Sequence, residues 1–339
     1  MFSRPFVGLC LLWFYTSFTP SNAIPDKVFT IKGNAQATTY NIAYKSKDSV
    51  ISRSSIDSLF EVFDYSLSKY NKSSLLYALN QRTRKVKINN HLKAVLEYAD
   101  SMRYLTNGTF DYRLQLLVDL WGFHSTKSIS IPDSNKLNKM LQFAQLNKLT
   151  INEEECVKSS TSLRIDLDGI AQGYCVDQLA AYLETFGIHD FIIELGGEVV
   201  ASGTNIGNEN WRVGMATGNE VPKIGTKQYV LKCRDKMAVT TSGSFQKFKQ
   251  IGDKYFSHII DPRTGYPVTN GIVAVTVIAP TAMKADGLDN AFVVMGVEKS
   301  FEWVSREPDV GLYISYINEK GQLADTANAF FKKYIQETD

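Results

Sequence analysis

Residues 238–271 read AVTTSGSFQKFKQIGDKYFSHIIDPRTGYPVTNG. The stretch opens on small hydroxyl-bearing residues, Thr240, Thr241, Ser242, Gly243 and Ser244, and closes on Ser257-His258-Ile259-Ile260-Asp261-Pro262-Arg263-Thr264-Gly265. Between them, two short apolar or aromatic runs flank a polar Gly252-Asp253 pair, the pattern of a hairpin. Small residues let backbone N–H groups approach a phosphate closely, and hydroxyls add further hydrogen bonds. His258 lies in an alternating strand beside a turn built from Asp-Pro and Thr-Gly, a rigid place to fix a catalytic side chain. A hairpin with ordinary turn chemistry would be written in the same residues, so the company this segment keeps decides between the two.

Downstream, 272–279 is a β-branched strand, 283–295 (MKADGLDNAFVVM) a helix despite Gly287, and 310–318 with 321–324 a terminal hairpin. Upstream, 210–217 and 228–233 are strands, and 190–198 (DFIIELGGE) is a strand ending in a Gly-Gly turn. Residues 164–168 (RIDLD) read as a short strand that runs into Gly169-Ile170-Ala171-Gln172-Gly173-Tyr174 and a helix to about Phe186. Strand, glycine loop and helix together suit a phosphate, because a helix N-terminus offers free N–H groups and positive potential. The spacing is neither that of a P-loop nor GxGxxG, so this motif alone is weak.

Towards the N-terminus, 28–44 alternates around Gly33 as two strands joined by a turn. Residues 54–67 form a helix capped by Ser54 or Ser55, with Ile56, Leu59, Phe60, Phe63 and Leu67 at helical spacing. A further helical turn is expected over 74–80, an amphipathic helix over 90–106 and a third helix over 133–145. Strands and helices interleave without βαβ order. The fold class is therefore α+β, mixed sheets with packed helices in a single unit of one or two lobes.

Composition narrows the function. A net charge of +2 over 339 residues gives no electrostatic footprint for nucleic acid. Residues 1–23 stand apart: Arg4 without acids, an apolar run from Phe6 to Phe18, and Ser21-Asn22-Ala23 before a cut. This is the pattern of a secretory signal peptide cleaved after Ala23, with the mature domain over 24–339. A lipid anchor at Cys10 is not expected, since Val7-Gly8-Leu9 lacks the small residue required at such a cut. Cys156, Cys175 and Cys233 remain after cleavage, an odd number without metal spacing, so no disulfide framework organises the fold.

Five blocks, in order, resemble the ApbE family of flavin transferases: FDYSLSKYNKSSLLYALN (63–80), NGTFDYRLQLLVDLWGF (107–123), DLDGIAQGYCVD (166–177) with ELGGE (194–198), residues 240–267, and VIAPTAMKADGLDNAFVVMG (277–296). The resemblance spans about Gly33 to Gly296 and implies an ApbE-type (T-fold-like) domain. It also implies an activity: FAD is bound with a divalent metal, usually Mg2+, and FMN passes to the hydroxyl of a Thr, or sometimes Ser, in a partner protein with release of AMP. The implied acceptor is an exported protein, such as a membrane electron-transfer subunit, which places the enzyme in the periplasm or at the outer face of a membrane.

The resemblance assigns residues as well. Asp286 matches the metal carboxylate, Asn290 one helical turn later stands where Thr is usual, Asp289 lies beside them, and the carbonyl of Gly169 matches a main-chain ligand. Positions i and i+4 share a helix face, so Asp286 and Asn290 can reach one ion. His258 matches the general base; an imidazole, titrating at about 6.5, can take a hydroxyl proton at neutral pH. Tyr70 matches a flavin-stacking aromatic, while Thr109, Phe110, Asp111 and Asp166 match flavin or adenine contacts and Ile260 contributes its backbone. A surface tyrosine, a solvated helix acid and a turn histidine are the ordinary alternatives for Tyr70, Asp286 and His258. Departures from the family pattern include Gln172 for a common Lys, Thr109 for a common Ala, and Gln36 for Met in an early Met-Gly-Thr block. Gln172 gives the FAD phosphates a neutral donor where a charge is usual, leaving Lys284 or Arg263 to supply it. Two alternatives share the site: a Mg2+-dependent FAD pyrophosphatase, in which water replaces the acceptor hydroxyl, and a non-catalytic FAD-binding protein.

Overall fold

The computed structural model describes residues 26–123, 131–215, 228–233, 235–243, 248–251 and 254–338. The expected signal peptide, Cys10, Ser244 and the Gly252-Asp253 pair lie outside these residues. The first hairpin joins β1 (Lys27–Ala35) to β2 (Thr38–Ser46), with Ala35 opposite Thr38. Its turn is Gln36-Ala37, both at positive φ (50° and 60°), not Gly33. Gly33 sits inside β1, where a Cβ would meet the Tyr40 ring at 2.5 Å; the glycine is needed for packing rather than for turning.

A helical layer follows. α1 (Arg53–Leu67) is capped by the Ser52 hydroxyl, which accepts the N–H of Ser55; the expected caps Ser54 and Ser55 lie within its first turn. α2 (Leu75–Leu79) is capped by Ser74, and β3 (Lys85–Lys87) leads into α3 (Asn90–Leu105), capped by Asn89. α4 (Gln115–Trp121) has no side-chain cap, which removed the usual sequence signal for its start. α5 (Ser134–Leu146) begins at Asp133, and β4 (Leu149–Ile151) and β5 (Glu155–Lys158) complete a small sheet of order β3-β5-β4.

The strand expected over 164–168 joins no ladder. The Asn80 side-chain amide takes both backbone groups of Ile165 (2.8 and 2.7 Å), and the Asp166 N–H donates to the Tyr112 carbonyl at 2.7 Å. One amide stands in for a neighbouring strand, which satisfies the buried backbone without a sheet.

The chain then forms α6 (Ala171–Thr185), β6 (Phe191–Leu195), β7 (Glu198–Ser202), β8 (Trp211–Gly214), β9 (Gln228–Cys233), β10 (Met237–Gly243), β11 (Phe248–Ile251) and β12 (Lys254–Ser257). β13 (Ile272–Ala279), α7 (Ala282–Met295), α8 (Val297–Val304), β14 (Gly311–Ile317), β15 (Leu323–Ala327) and β16 (Ile335–Thr338) finish it. Eight strands pair antiparallel in the order β1-β2-β6-β7-β10-β13-β14-β15, while β11-β12 is a separate hairpin. One face of the large sheet carries the main core with α1, α3, α6 and α7. The other face packs on the three-stranded sheet β16-β9-β8 through residues such as Val199, Trp211, Leu231, Tyr313 and Phe331. The expected α+β class is what the chain adopts. Cys156, Cys175 and Cys233 are free and buried. Among the described residues no helix is long and apolar enough to cross a membrane.

α7 positions the site. It is apolar on nearly every side, from Ala282 and Ala285 through Leu288, Ala291 and Phe292 to Val294, so it lies buried on β10 and β13. Its only acids, Asp286 and Asp289, are carried into the interior with it.

Candidate active site

A cleft of about 740 Å³ opens where the glycine loop before α6, the end of β10, the middle of α7 and the turn after β12 meet. It is lined by Tyr70, Thr109, Phe110, Asp111, Asp166, Gly169, Gln172, His258, Ile260, Asp286, Asp289 and Asn290. These are twelve of the thirteen residues singled out in the sequence, gathered from separations of up to 220 positions. The thirteenth, Gln36, does not line it. Its amide donates to Cys175 Sγ at 3.1 Å, because the left-handed turn at Gln36-Ala37 turns it under α6.

The oxygen-rich end is built by α6 and α7 together. Asp286 Oδ2 accepts the N–H of Gly173 at 2.9 Å. A Cβ on Gly173 would meet the Ala282 carbonyl oxygen at 2.4 Å, so only glycine allows this approach. The Asn290 amide nitrogen donates to the Asp286 carbonyl and to Asp289 Oδ1, both at 3.0 Å, and its oxygen accepts the Ser242 hydroxyl at 3.3 Å. Gly169 packs on Asn290; a Cβ there would lie 3.2 Å from Nδ2. Burial pushes the carboxyls of Asp286 and Asp289 well above the usual range, Asp286 raises Asp289 further, and the Gly173 N–H works against the shift at Asp286. The Thr240 hydroxyl, wholly buried, stands beside Asp289 and makes no hydrogen bond of normal geometry among the described residues.

His258 follows β12 on a turn that is held from outside the hairpin. Ile260 bridges Pro267, the Asp261 N–H donates to the Tyr266 carbonyl, and Gly265 sits at φ 75°. The buried Trp121 of α4 donates its indole N–H to the Gly265 carbonyl at 2.9 Å. A helix without a cap signal thus anchors the turn that presents the histidine.

At the other end, Thr106 organises the loop after α3: its hydroxyl accepts the Phe110 N–H, and its carbonyl accepts the Thr109 hydroxyl at 2.9 Å. Arg113 grips Asp111 through two hydrogen bonds, at 2.8 and 2.5 Å, and fixes that carboxylate at the cleft wall. Tyr70 is 65% exposed at the cleft.

Lys69, Asp168, Glu198 and Asp177 were not singled out in the sequence. Lys69 lies next to Tyr70, and Asp168 and Asp177 fall inside a quoted block, but nothing in their spacing marks them. Lys284 and Arg263, the expected sources of charge, are engaged elsewhere: Lys284 with Glu307 (3.1 Å) and Asp309 (3.4 Å), Arg263 with Asp261 and the Val294 carbonyl. Neither lines the cleft.

The family model for the ApbE family matches residues 37–314. The FAD:protein FMN transferase of Vibrio cholerae serotype O1 is 34% identical over 285 residues, covering 81% of this chain and 84% of that protein. The FAD:protein FMN transferase of Escherichia coli K12 is 29% identical over 327 residues, covering 93% and 92%. Among solved structures, the flavin transferase ApbE from Vibrio cholerae superposes with a TM-score of 0.80 at 30% identity, over 91% of this chain and 100% of that one. The match in sequence runs through every segment that builds the cleft, and the fold follows it: the chain belongs to the ApbE family.

Proposed function

We propose that this chain is a Mg2+-dependent FAD:protein FMN transferase. It attaches FMN through a phosphoester bond to a Thr or Ser of a partner protein and releases AMP. The observation that carries this is the meeting, in one cleft, of His258 with the buried oxygen cluster of Asp286, Asp289 and Asn290. Storage of a flavin needs neither a base nor such a cluster, whereas cleavage of a pyrophosphate uses both.

Among the described residues no three His, Cys, Asp or Glu side chains converge on one point. A cation would therefore draw on the two carboxylates together with neutral oxygens: the Asn290 amide, the Gly169 carbonyl and the Thr240 hydroxyl beside Asp289. Hard oxygen donors with few charges suit Mg2+. Bound there, the ion supplies charge neutralisation for the pyrophosphate oxygens.

The chain's own residues do the rest. Tyr70, Phe110 and Asp111 hold the flavin and adenine parts at the open end. His258 takes the proton of the acceptor hydroxyl as its oxygen bonds to the FMN phosphorus. The bond from that phosphorus to the bridging oxygen breaks, and AMP leaves with the electron pair. The apolar segment at the N-terminus supports export, with the acceptor a membrane electron-transfer subunit that exposes the target Thr.

AMP release from FAD and Mg2+, measured with and without such an acceptor, tests the assignment. AMP together with a covalent FMN adduct on the acceptor Thr is expected, and a chelator should abolish both. AMP and free FMN without acceptor would make the protein an FAD pyrophosphatase. FAD binding without AMP under any divalent metal would leave a flavin-binding protein.

A further inference from the structure

The cleft is strongly acidic for a site that would take FAD, whose pyrophosphate is itself dianionic. Six carboxylates line it, Asp111, Asp166, Asp168, Glu198, Asp286 and Asp289, and among the described residues no Lys or Arg side chain does. Asp111 is already matched by Arg113. Asp286 and Asp289 form the oxygen cluster. That leaves Glu198, at the start of β7, and Asp166 and Asp168 beside the glycine loop, and the last two both reach a single ammonium behind the wall. Lys69 Nζ lies 2.9 Å from Asp166 Oδ1 and 2.7 Å from Asp168 Oδ2.

The environment of this lysine is specific. Its side chain is 6% exposed, although Asp168 is 54% exposed. Burial alone would lower the ammonium, but the two carboxylates outweigh it and hold the group well above its ordinary value, so it is charged at any working pH. The same ammonium stands over the Tyr70 ring, 5.5 Å from its centroid. One cation thus touches an aromatic and two acids that all face the cleft.

We propose that Lys69 is the charge-compensating and positioning residue of the FAD cleft, cancelling Asp166 and Asp168 and holding Tyr70 against them so that a dianionic pyrophosphate can enter. This rests on FAD being the substrate. Lys69 acts through its three neighbours and is not itself part of the cleft wall. It supplies the positive charge that the neutral Gln172 does not.

The charge account makes a prediction that a purely structural role would not. Lys69→Met should raise the Kd for FAD about tenfold, and the loss should shrink between about 0.05 M and about 0.5 M salt, because screening weakens the exposed carboxylate repulsion. Asp168→Asn should tighten FAD, since it leaves the lysine in surplus. The double variant K69M/D168N should return to within about threefold of the wild type. Lys69→Arg should keep most of the affinity, and the loss in K69M should appear in KM for FAD rather than in kcat for AMP release. Kd is read from flavin fluorescence quenching with Mg2+ present. An Asp168→Asn protein that binds FAD no tighter than the wild type overturns the proposal even where K69M fails to fold; so does a double variant no better than K69M. A wild-type protein that binds no FAD overturns the substrate assignment and this proposal with it, whereas wild-type binding with K69M unchanged overturns this proposal alone.

Discussion

Asp177, in the second turn of α6, accepts the backbone N–H of Ala282, the first residue of α7, at 2.8 Å. Its other oxygen accepts the N–H of Met283 at 2.9 Å. The helices answer each other: α6 caps α7 through Asp177, and α7 holds the start of α6 through Asp286 and the Gly173 N–H. The cluster at Asp286 is therefore placed by a carboxylate 109 positions earlier in the chain, acting across the two helices. Asp177→Ala should free two N–H groups at a buried helix start and cost about 2 kcal/mol. Urea denaturation reads the loss directly. The Mg2+ concentration for half-maximal AMP release should rise in parallel, because α7 loses its fixed start.

The same carboxyl gives the fold a pH dependence of definite sign. Burial pushes Asp177 up to about 6, against the pull of the Met283 and Ala282 N–H groups and of Lys236. An acid whose folded value lies above its unfolded one binds its proton more tightly in the fold. Its contribution to stability is complete below the unfolded value, about 4, and is lost as pH rises through about 6. The ceiling on that loss is about 3 kcal/mol. Asp177→Asn keeps one acceptor and removes the titration. The stability of the wild type relative to D177N should therefore fall between about pH 4 and about pH 7. A difference that stays flat across this window would contradict the assignment.

Lys158 is wholly buried, yet its ammonium finds four backbone carbonyls: Leu79 at 2.6 Å, Gln81 at 2.8 Å, Leu163 at 3.1 Å and Thr161 at 3.3 Å. Leu79 ends α2, so the cation sits where a helix dipole favours it. The two chain ends it ties together are the close of the Tyr70 block and the approach to Asp166. Burial, with Arg164 nearby, pushes the ammonium down to about 8, which keeps it charged at neutral pH. Lys158→Met preserves the volume and strands the carbonyls of Leu79 and Gln81, while those of Thr161 and Leu163 keep the Arg164 guanidinium at 2.9 and 3.0 Å. A loss of about 3 kcal/mol in thermal or urea unfolding is expected, more than for most single surface changes.

Much of this was legible in the sequence because the apolar period was. The helices expected over 90–106 and 133–145 form as α3 and α5. The buried α7 announced itself by an apolar run in which Asp286 and Asp289 are the only acids. What the sequence hid lies where one residue stands in for a whole element. Asn80 replaces a strand partner for Ile165, 85 positions on. Gln36 and Ala37 turn with positive φ where Gly33 was the obvious candidate. Lys69 gains its meaning only when Asp166, 97 positions later, folds onto it. Local propensity has no term for such long-range substitutions, so spacing alone could not find them.

His258 is the residue whose loss should separate chemistry from binding. It lines the cleft on a turn fixed by Trp121 and by the Ile260–Pro267 bridge, so removing the imidazole leaves the backbone that shapes the site intact. Ile260 and the glycine loop keep their places, and FAD affinity should stay within about twofold of the wild type. The acceptor hydroxyl, however, loses the group that takes its proton, a contribution of about 10² to 10⁴ in rate. His258→Ala should thus lower kcat for covalent FMN transfer by about that factor at an unchanged Kd for FAD. Rapid-quench measurement of the FMN adduct, run beside fluorescence titration of FAD on the same protein, reads both numbers. A matching rise in Kd would make His258 a binding residue, and an unchanged kcat would move the proton to another acceptor in the cleft.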